Sequence, residues 1–296
     1  MKRILTYRIS KEFEGKTILF FLKNQSYSSP VITHLKRTKE GILLNHVWGR
    51  VRDILHEEDI LTITIIESET SENIVPSPLP LSIVYEDEDL MVINKSAGMP
   101  IHPSQGNYDN TLANAIAYLY QTRGEPFVYR CINRLDKDTT GLLILAKNMY
   151  SASLLSNMVK NREIHREYLA IATGLVPDAG IIDAPIGRVD GSTIEREVND
   201  SFGDPARTHY QRIAYKNGYS LVSLKLETGR THQIRVHMKY IGHPLPGDFL
   251  YHPDYSVINR QALHSYRLSF LHPLTKEPMV FTAPLPKDMK LLFPSI

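Results

Sequence analysis

The sequence Asn-Arg-Leu-Asp-Lys-Asp-Thr-Thr-Gly-Leu-Leu-Ile-Leu-Ala-Lys, residues 133–147, places the carboxylate of Asp136 in a polar turn directly before an apolar segment. The segment from Leu142 to Ala146 is continuous and of strand length, which predicts a buried strand and a rigid support for the turn. Turn formers from Asp138 to Gly141 allow the chain to fold tightly and to hydrogen-bond a neighbouring acid. Arg134 should help to keep the carboxylate ionised. On these local grounds alone, ordinary turn chemistry explains the pattern better than catalysis does.

The composition is typical of a soluble globular protein, with 296 residues, 42% hydrophobic and 22% charged. This length predicts two domains. The longest apolar runs are far shorter than the roughly 20 residues of a membrane-spanning helix, and no apolar signal-peptide core follows Met1 to Arg3. The single cysteine, Cys131, excludes an internal disulfide and is expected to be a small buried hydrophobe. We therefore expect a cytoplasmic protein with no membrane partner.

The charge of the chain is distributed unevenly. The formal net charge is only +2, but residues 1–50 contain ten lysines and arginines against three glutamates, a net charge of +7. The rest of the chain is therefore acidic, at −5. This asymmetry predicts that the first segment contacts a polyanion, whereas a solvated basic face is the alternative.

A polar, acidic and then proline-rich segment from Glu67 to Pro80 is typical of an interdomain linker. We therefore predict an N-terminal module, residues 1–70, a linker, residues 71–80, and a catalytic domain, residues 81–296. The predicted helices and strands of the module are Thr17 to Leu22, Val31 to Arg37, Ile42 to Asn45 and Ile60 to Ile66. Its clustered basic residues are Lys36, Arg37, Lys39 and Arg50. These features predict a small basic α/β module.

Strands dominate the sequence after the linker. The predicted strands are Ile83 to Tyr85, Leu90 to Asn94, Leu142 to Ala146, Tyr168 to Ala172, Leu221 to Leu226 and Met279 to Thr282. The predicted helices are Leu112 to Tyr120, Ser151 to Lys160 and His232 to Ile241. Irregular alternation of this kind favours an α+β domain with a largely antiparallel mixed sheet flanked by helices.

The segment from Glu227 to Gly242, Glu-Thr-Gly-Arg-Thr-His-Gln-Ile-Arg-Val-His-Met-Lys-Tyr-Ile-Gly, has the pattern of a short helix. Thr231 is placed to cap its start, and Gly242 lies where the helix should end. Its apolar face would carry Ile234, Met238 and Ile241. Its polar face would carry His232, Arg235 and Lys239.

The start of this helix is a candidate anion site, because free backbone N–H groups and the helix dipole favour phosphate or carboxylate there. Arg230 lies beside it. Polar surface is the alternative. His232 and His237 are five residues apart and would lie on different faces of a helix, so we expect no metal ion.

Two further segments carry candidate site residues. Tyr168 opens a predicted strand, where its ring can pack beside a cleft, although a core tyrosine is the commoner explanation. Lys95 and His102 lie on a Gly- and Pro-rich loop that leaves the strand from Leu90 to Asn94.

The order of these segments is distinctive. The motifs are Tyr85-Glu86-Asp87 with Lys95 and His102-Pro103, Arg134-Leu135-Asp136 with Thr139 and Gly141, Tyr168, Gly229 to His237, Gly242-His243-Pro244 and Gly247-Asp248. Residues 80–290 thereby resemble the ribosomal large-subunit (RluA-type) pseudouridine synthase family. The resemblance implies that Asp136 is the catalytic aspartate, that Tyr168 stacks on the target base and that Arg235 pairs with the aspartate. Arg134 would fill the gap left by the extruded base.

The chain differs from the usual pattern of this family at four positions. Asn133, Thr140, Ser96 and Arg166 stand where the family usually has His, Ser, Pro and Lys. None of these changes removes a group that bonds to the uridine, so we expect them to affect RNA fit and site preference. We predict that the substrate-binding residues are Arg134, Lys95, His102, Thr139, Arg230 and His232.

The N-terminal module has a resemblance of its own. Residues 15–66 resemble the RNA-binding domain of the ribosomal small-subunit protein-four type, in which a helical pair presents basic residues to RNA. The Gly-Asp pair usual near the end of that domain is Glu58-Asp59 here.

Together these resemblances imply isomerisation of specific uridines to pseudouridine, without a cofactor, in large-subunit rRNA. A monomer is expected. The alternatives are a tRNA-specific pseudouridine synthase and a non-catalytic RNA-binding or ribosome-assembly protein. A glycoside hydrolase would need two carboxylates flanking one bond, and Asp138 is too close in sequence to Asp136 to be placed as the partner.

Overall fold

The computed structural model describes residues 1–294; residues 295 and 296, the last two of the expected catalytic domain, lie outside the described part. The first part of the chain forms an antiparallel four-stranded sheet in the order β1-β4-β2-β3, with two helices packed on it. Its elements are β1 (Lys2–Arg8), α1 (Ile18–Asn24), α2 (Ser29–Arg37), β2 (Ile42–Leu44), β3 (Val47–Trp48) and β4 (Ile60–Ile66). A 3-10 turn, Lys11–Phe13, follows β1.

Local sequence explains the two N-terminal helices. The hydroxyl of Thr17 accepts a hydrogen bond from the backbone N–H of Phe20, 3.1 Å away, and so caps α1. Pro30 occupies the first turn of α2, where its missing N–H costs nothing. The apolar faces of both helices enter one core with the inner face of the sheet. The sequence analysis did not predict strand β1, because Lys2, Arg3 and Arg8 interrupt its apolar residues.

The rest of the chain builds a nine-stranded sheet in the order β5-β6-β7-β14-β8-β13-β12-β9, with β15 paired to β14. The strands are β5 (Ile83–Glu86), β6 (Leu90–Lys95), β7 (Thr140–Ala146), β8 (His165–Thr173), β9 (Ala179–Asp183), β12 (Arg207–Lys216), β13 (Tyr219–Leu226), β14 (Leu263–Leu271) and β15 (Pro278–Thr282). A separate hairpin consists of β10 (Ile186–Arg188) and β11 (Arg196–Val198). The helices are α3 (Leu112–Arg123), α4 (Met149–Lys160), α5 (Gln233–Tyr240) and α6 (Lys287–Leu292).

The pairing of β7 with β14 is parallel and the other pairings of the large sheet are antiparallel, which confirms the predicted mixed, largely antiparallel sheet. Each strand predicted after the linker overlaps an observed strand. The central strand β14 was missed, because His264, Ser265, Arg267 and Ser269 hide its apolar pattern. No helix among residues 1–294 has the length and apolarity needed to cross a membrane.

The contact between β7 and β14 depends on Gly141. Its φ is +107°, and a Cβ built on it would lie 2.2 Å from the carbonyl oxygen of Ser265. The hydroxyl of Ser265 donates to the carbonyl of Leu142 at 2.9 Å, and the hydroxyl of Thr140 lies 2.9 Å from His264 Nδ1. All seven residues of β7 are buried. The strand that follows the Asp136 turn is therefore fixed in the centre of the sheet.

The N-terminal part packs directly on α4 and contacts the loop before β6. The rings of Tyr27 and Tyr150 stack with their centroids 3.8 Å apart. Arg3 forms an ion pair with the buried Asp89 at 2.8 Å, and Glu67 accepts from the backbone N–H of Met149 at 3.0 Å. These contacts join the two parts through one continuous core that includes residues of α4.

The segment between β4 and β5, residues 67–82, contains no helix or strand. It is nevertheless hydrogen-bonded along its length to the larger part of the chain. The N–H of Ser71 donates to Phe127, and Asn114 of α3 donates from its side chain to the carbonyl of Val75 at 2.7 Å. The predicted linker therefore lies along the surface of the larger part of the chain.

Replacing Gly141 with alanine should destabilise the protein strongly. Gly141→Ala forces β7 away from the backbone of β14, so we expect a loss above the common range of about 0.5–3 kcal/mol in the free energy of unfolding. Gly124→Ala is the matched control, because Gly124 also has positive φ but has open space around it; the expected loss is about 1–2 kcal/mol. Equal losses in urea unfolding would contradict the close-packing role of Gly141.

Candidate active site

The turn that carries Asp136 is braced on both sides. At its start, the side-chain oxygen of Asn133 accepts from the backbone N–H of Ile144 in β7, 2.9 Å away. At its end, the N–H of Thr139 donates to the carbonyl of Asp136 at 3.1 Å. The side chain of Thr139 is buried and accepts from Gln261. The position of Asp136 is therefore set by the sheet.

Lys95, at the end of β6, supports the same turn from behind. It is 2% exposed, and its ammonium donates to the carbonyls of Ser96, Met99 and Lys137 at 2.7, 3.0 and 2.8 Å. Burial lowers the pKa of Lys95 to about 7, against the opposing charges of Asp138 and Asp136. Three carbonyls match the three protons of an ammonium. The structure thus places this predicted substrate-binding residue inside the protein, with its donors used.

Arg235 connects the turn to the rest of the site. Its Nη1 donates to Asp136 Oδ2 at 2.9 Å, while Nε and Nη2 form two 2.7 Å bonds to the carboxylate of Asp248. The side chains of Arg235 and Asp248 are each 1% exposed, and that of Asp136 is 21% exposed. Burial opposes the charged guanidinium, yet the bond to Asp248 and the charge of Asp136 raise the pKa of Arg235 above its ordinary value. Asp248 therefore fixes the orientation of the guanidinium through two hydrogen bonds, and Nη1 is directed at Asp136.

The start of α5 differs from the prediction. The helix begins at Gln233, and the preceding residue, His232, has a left-handed φ of 59° with no capping side chain. Thr231 is therefore not the N-cap. The side-chain oxygen of Gln233 accepts from the backbone N–H of Arg230 at 2.9 Å and from the hydroxyl of Thr228 at 2.8 Å. The backbone N–H of Gln233, a donor that the predicted anion site would have offered, donates to the carbonyl of Arg230 at 3.1 Å.

The predicted polar face of α5 also differs, because two of its three residues are turned into the protein. Arg235 is buried, and the side chain of His232 is only 13% exposed, whereas Lys239 is exposed. His232 Nε2 lies 3.9 Å from Asp136 Oδ1 and His232 Nδ1 lies 2.9 Å from the hydroxyl of Tyr251. Burial lowers the pKa of His232 to about 4. The imidazole is therefore neutral at pH 7.

The three predicted catalytic residues, Asp136, Tyr168 and Arg235, line one pocket. Tyr168 lies in the fourth position of β8, not at its start, and is 4% exposed. Burial raises the pKa of Tyr168, so its hydroxyl is protonated at pH 7. Apolar side chains complete the wall: Leu135, Leu226, Ile234 and Leu263. The pocket combines a carboxylate, a guanidinium and an aromatic ring with an apolar surface.

The remaining predicted site residues lie around this pocket. Arg134, Thr139, Arg230 and His232 line it, and His102 lies in an adjoining groove that also contains Asp136. Arg134 is exposed, and no hydrogen bond or ion pair within residues 1–294 involves its guanidinium. Arg230 is directed toward the protein surface, where it donates to the carbonyl of Pro205 and to Asp204.

Asp248 is a site residue to which the sequence analysis assigned no role, although the Gly247-Asp248 motif was noted. Its carboxylate also accepts from the backbone N–H groups of Leu250 and Tyr251 at 3.0 and 3.1 Å. Gly247 precedes it with φ +72°, and a Cβ there would lie 2.2 Å from the carbonyl oxygen of Arg260. The Gly-Asp pair was visible as a motif, but only the fold reveals that its carboxylate meets Arg235.

Cys131 and the acidic cluster near the N-terminal part lie outside this pocket. Burial raises the pKa of Cys131 to about 12, so its thiol stays protonated. Asp87, Asp89 and His272 offer oxygen and nitrogen atoms within 4.8 Å of one another. Asp89 is already paired with Arg3, and Asp87 already lies 3.0 Å from His272. These contacts explain the cluster without an ion.

Comparison with known proteins assigns the pocket to a family. A family model described as RNA pseudouridylate synthase matches residues 89–240, which include Asp136, Tyr168 and Arg235. The chain belongs to the RNA pseudouridine synthase family. The predicted RluA-type resemblance is confirmed, since curated relatives include several ribosomal large-subunit pseudouridine synthases D.

Two relatives illustrate the extent of the match. The RNA pseudouridine synthase YjbO of Bacillus subtilis, described as uncharacterized, is 43% identical over 266 residues, which cover 90% of this chain and 94% of that protein. Ribosomal large subunit pseudouridine synthase D of Zymomonas mobilis is 39% identical over 289 residues, covering 89% and 90%. The synthase is therefore related to these proteins over most of its length.

Solved structures agree with this assignment. Human RNA pseudouridylate synthase domain containing 1 superposes with a TM-score of 0.58 at 29% identity, over 69% of this synthase and 83% of that chain. Human RNA pseudouridylate synthase domain containing 4 gives a TM-score of 0.57 at 24% identity, over 70% and 90%, a likeness in fold.

Removing the carboxylate of Asp248 should destabilise the synthase. Asp248→Ala leaves the buried charge of Arg235 with less compensation, so we expect a loss of about 3–5 kcal/mol in the free energy of unfolding. Asp204→Ala breaks the exposed ion pair with Arg230 and should cost no more than about 1 kcal/mol. Denaturant unfolding of both variants tests this. Equal losses would show that the bond between Arg235 and Asp248 does not hold the site together.

Proposed function

We propose that this synthase converts specific uridines of structured RNA to pseudouridine, with Asp136 as the catalytic carboxylate and no cofactor. The observation that carries the proposal is the bond from Arg235 Nη1 to Asp136 Oδ2, in a pocket that also contains Tyr168. Large-subunit rRNA is the proposed substrate, supported by relatives named ribosomal large subunit pseudouridine synthase D. A tRNA substrate is the alternative. We further propose a cytoplasmic monomer.

The charge balance of the site supports this role for Asp136. Two carboxylates, Asp136 and Asp248, share one guanidinium, so the trio carries a net negative charge. Because Asp248 is buried and takes two bonds from Arg235, the free negative charge lies at Asp136, the more exposed carboxylate. Arg235 aims this group through the bond from its Nη1 to Asp136 Oδ2. An ionised carboxylate is what a nucleophile or an electrostatic stabiliser needs.

The reaction accounts for the residue types in the pocket. The bond between the ribose C1′ and N1 of uracil breaks, the base turns, and a bond forms between C1′ and C5. The proton of C5 is lost and N1 gains one, so the isomerisation needs no net redox change and consumes no water. Asp136 can attack the sugar or the base, or stabilise positive charge that develops on the sugar. All three routes need the carboxylate close to the extruded nucleoside.

Tyr168 is the proposed partner of the base. An aromatic ring offers a stacking surface of about 1–3 kcal/mol per base. Because burial raises the pKa of Tyr168, its hydroxyl remains protonated at pH 7. It can handle the C5 proton, directly or through water, only as a relay that passes its own proton on as it accepts one.

RNA has to deform for a uridine to reach this pocket. Extrusion costs a few kcal/mol, and it costs least in loops, bulges and incompletely folded RNA. Arg134 is exposed beside the pocket and is free of ion pairs within residues 1–294, which suits a side chain that fills the gap left by the base. His102 lines the adjoining groove, along which flanking nucleotides can run.

The first 70 residues are proposed to be an RNA-binding module of the ribosomal small-subunit protein-four type, followed by the linker, residues 71–80, and the catalytic domain. The two helices packed on a small sheet and the net charge of +7 over residues 1–50 support this role. Two contacts on one RNA raise the effective concentration of the catalytic pocket at its target.

Asp136→Asn should abolish pseudouridine formation while RNA binding persists. The amide keeps the size of the side chain but removes its charge, so we expect activity to fall by at least about three orders of magnitude. Asp138→Asn is the matched control, because it removes a carboxylate from the same turn that forms no ion pair within residues 1–294. Pseudouridine is measured in rRNA and tRNA transcripts, and binding by filter retention. Activity that survives in Asp136→Asn would remove Asp136 from the mechanism.

The basic residues of the N-terminal module should set part of the salt dependence of binding. Lys36, Arg37 and Lys39 are exposed, and replacing all three with alanine should flatten the plot of log affinity against log salt by about 0.7–0.9 per lost phosphate contact. A control variant removes three exposed lysines of the catalytic part, Lys216, Lys287 and Lys290. If both triple variants keep the parental slope, the module does not contact RNA through these residues.

A further inference from the structure

The β2–β3 hairpin of the N-terminal part presents an exposed tryptophan. Trp48 is 60% exposed, and its neighbour Val47 is 70% exposed. Both lie on β3, which pairs with Leu43 and Leu44 of β2. A single exposed apolar side chain is ordinary on a protein surface, so the ring indicates a contact surface only through the groups that surround it.

The surface beside this ring is a basic groove with an apolar floor. Leu35, Ile42 and Val51 form its floor, and Lys36, Arg50 and Arg52 form its rim. The three cationic side chains are exposed, and no ion pair within residues 1–294 involves any of them. The nearby carboxylate of Asp53 accepts from the backbone N–H of Arg50 at 2.6 Å. The groove therefore presents an aromatic ring and three positive charges that form no ion pair within residues 1–294, with the Asp53 carboxylate nearby.

We infer that this groove binds a single-stranded segment of the RNA substrate, with one base stacked on Trp48 and adjacent phosphates on Lys36, Arg50 and Arg52. The inference rests on the proposed function, which supplies the RNA. Charge complementarity selects a polyanion, and the ring selects one with exposed flat bases, because a base inside a duplex cannot stack on a side chain. The contact is sequence-tolerant, since every base has an aromatic face.

The hairpin fixes the backbone that carries Trp48. Its turn, Asn45-His46, has φ values of 48° and 67°, the left-handed pair of a tight hairpin turn. After Trp48, the N–H of Gly49 donates to the carbonyl of Ile42 at 2.9 Å. The N-terminal part is in turn fixed on α4 by the stacking of Tyr27 on Tyr150. The stacked base would therefore lie at a set distance from Asp136, which makes the groove a determinant of substrate choice.

Trp48 is the only tryptophan of the chain, so its fluorescence reports on this contact directly. The full-length synthase is titrated with a single-stranded oligouridylate and with a fully paired RNA duplex of equal length. We expect the single strand to quench the fluorescence at saturation and the duplex to leave it nearly unchanged. Both titrations are repeated with Asp136→Asn, in which quenching should be the same.

Two substitutions separate stacking from charge. Trp48→Ala should weaken binding of the single strand by about 5- to 150-fold, the range expected for losing one base–aromatic stack, whereas Trp48→Phe should restore most of the affinity. With an unmodified rRNA fragment that contains the target uridine as substrate, Trp48→Ala should raise KM and leave kcat unchanged. Because the ring is exposed, thermal unfolding of both variants should match that of the parent protein.

Each result supports the inference or overturns it. It is overturned if the fluorescence does not change when filter retention shows that RNA is bound, if the duplex quenches as much as the single strand, or if Trp48→Ala binds as tightly as the parent. Concentration-dependent self-association that Trp48→Ala abolishes, without an effect on RNA, would assign the groove to a second copy of the chain. If the Trp48 experiments overturn the inference while Asp136-dependent pseudouridine formation is intact, the proposed function still holds. If single-stranded RNA quenches Trp48 but no Asp136-dependent pseudouridine formation is detected, only the catalytic proposal is rejected.

Discussion

The site depends on one buried guanidinium shared by two carboxylates. Arg235 is held by a two-bond contact with Asp248 and presents its remaining Nη to Asp136. A buried arginine is costly unless its charge is compensated and its donors are satisfied. Asp248 supplies most of that compensation, because it is itself buried and oriented by two backbone N–H groups. Asp136 is thereby left as the accessible negative charge, aimed by the protein before any RNA arrives.

The scaffold around this trio explains why it can be held in place. The Asp136 turn continues into β7, which is buried along its whole length and pressed against β14 at Gly141. Lys95 ties the loop after β6 to the same turn through three carbonyls. Arg235 comes from α5 and Asp248 from the following loop. The trio therefore depends on the correct placement of the Asp136 turn against α5 and the loop that follows α5, and a shift of any of these segments would move the carboxylate away from Arg235.

Sequence patterns gave a good account of elements with strong local signals. The run from Leu142 to Ala146 identified β7, and the two capped helices α3 and α4 were found within a few residues. Sequence patterns predicted secondary structure less well where polar residues occupy buried positions. Strand β14 was missed because His264 and Ser265 are buried polar residues whose partners lie on β7. The start of α5 was misplaced because the side chain of Gln233, and not Thr231, binds the backbone there.

The sequence by itself determined the residue types of the site, the buried strand behind Asp136 and the basic character of the first 50 residues, because these follow from local order and charge. Only the tertiary structure decided which groups meet. Asp248 became the partner of Arg235, His232 became a neutral buried ring, and Lys95 became an internal support, although sequence alone offered each as a polar residue. The reason is physical: solvation and pairing of charges depend on distances across the fold, and residues 95 and 136 are far in the chain from each other and from residues 235 and 248.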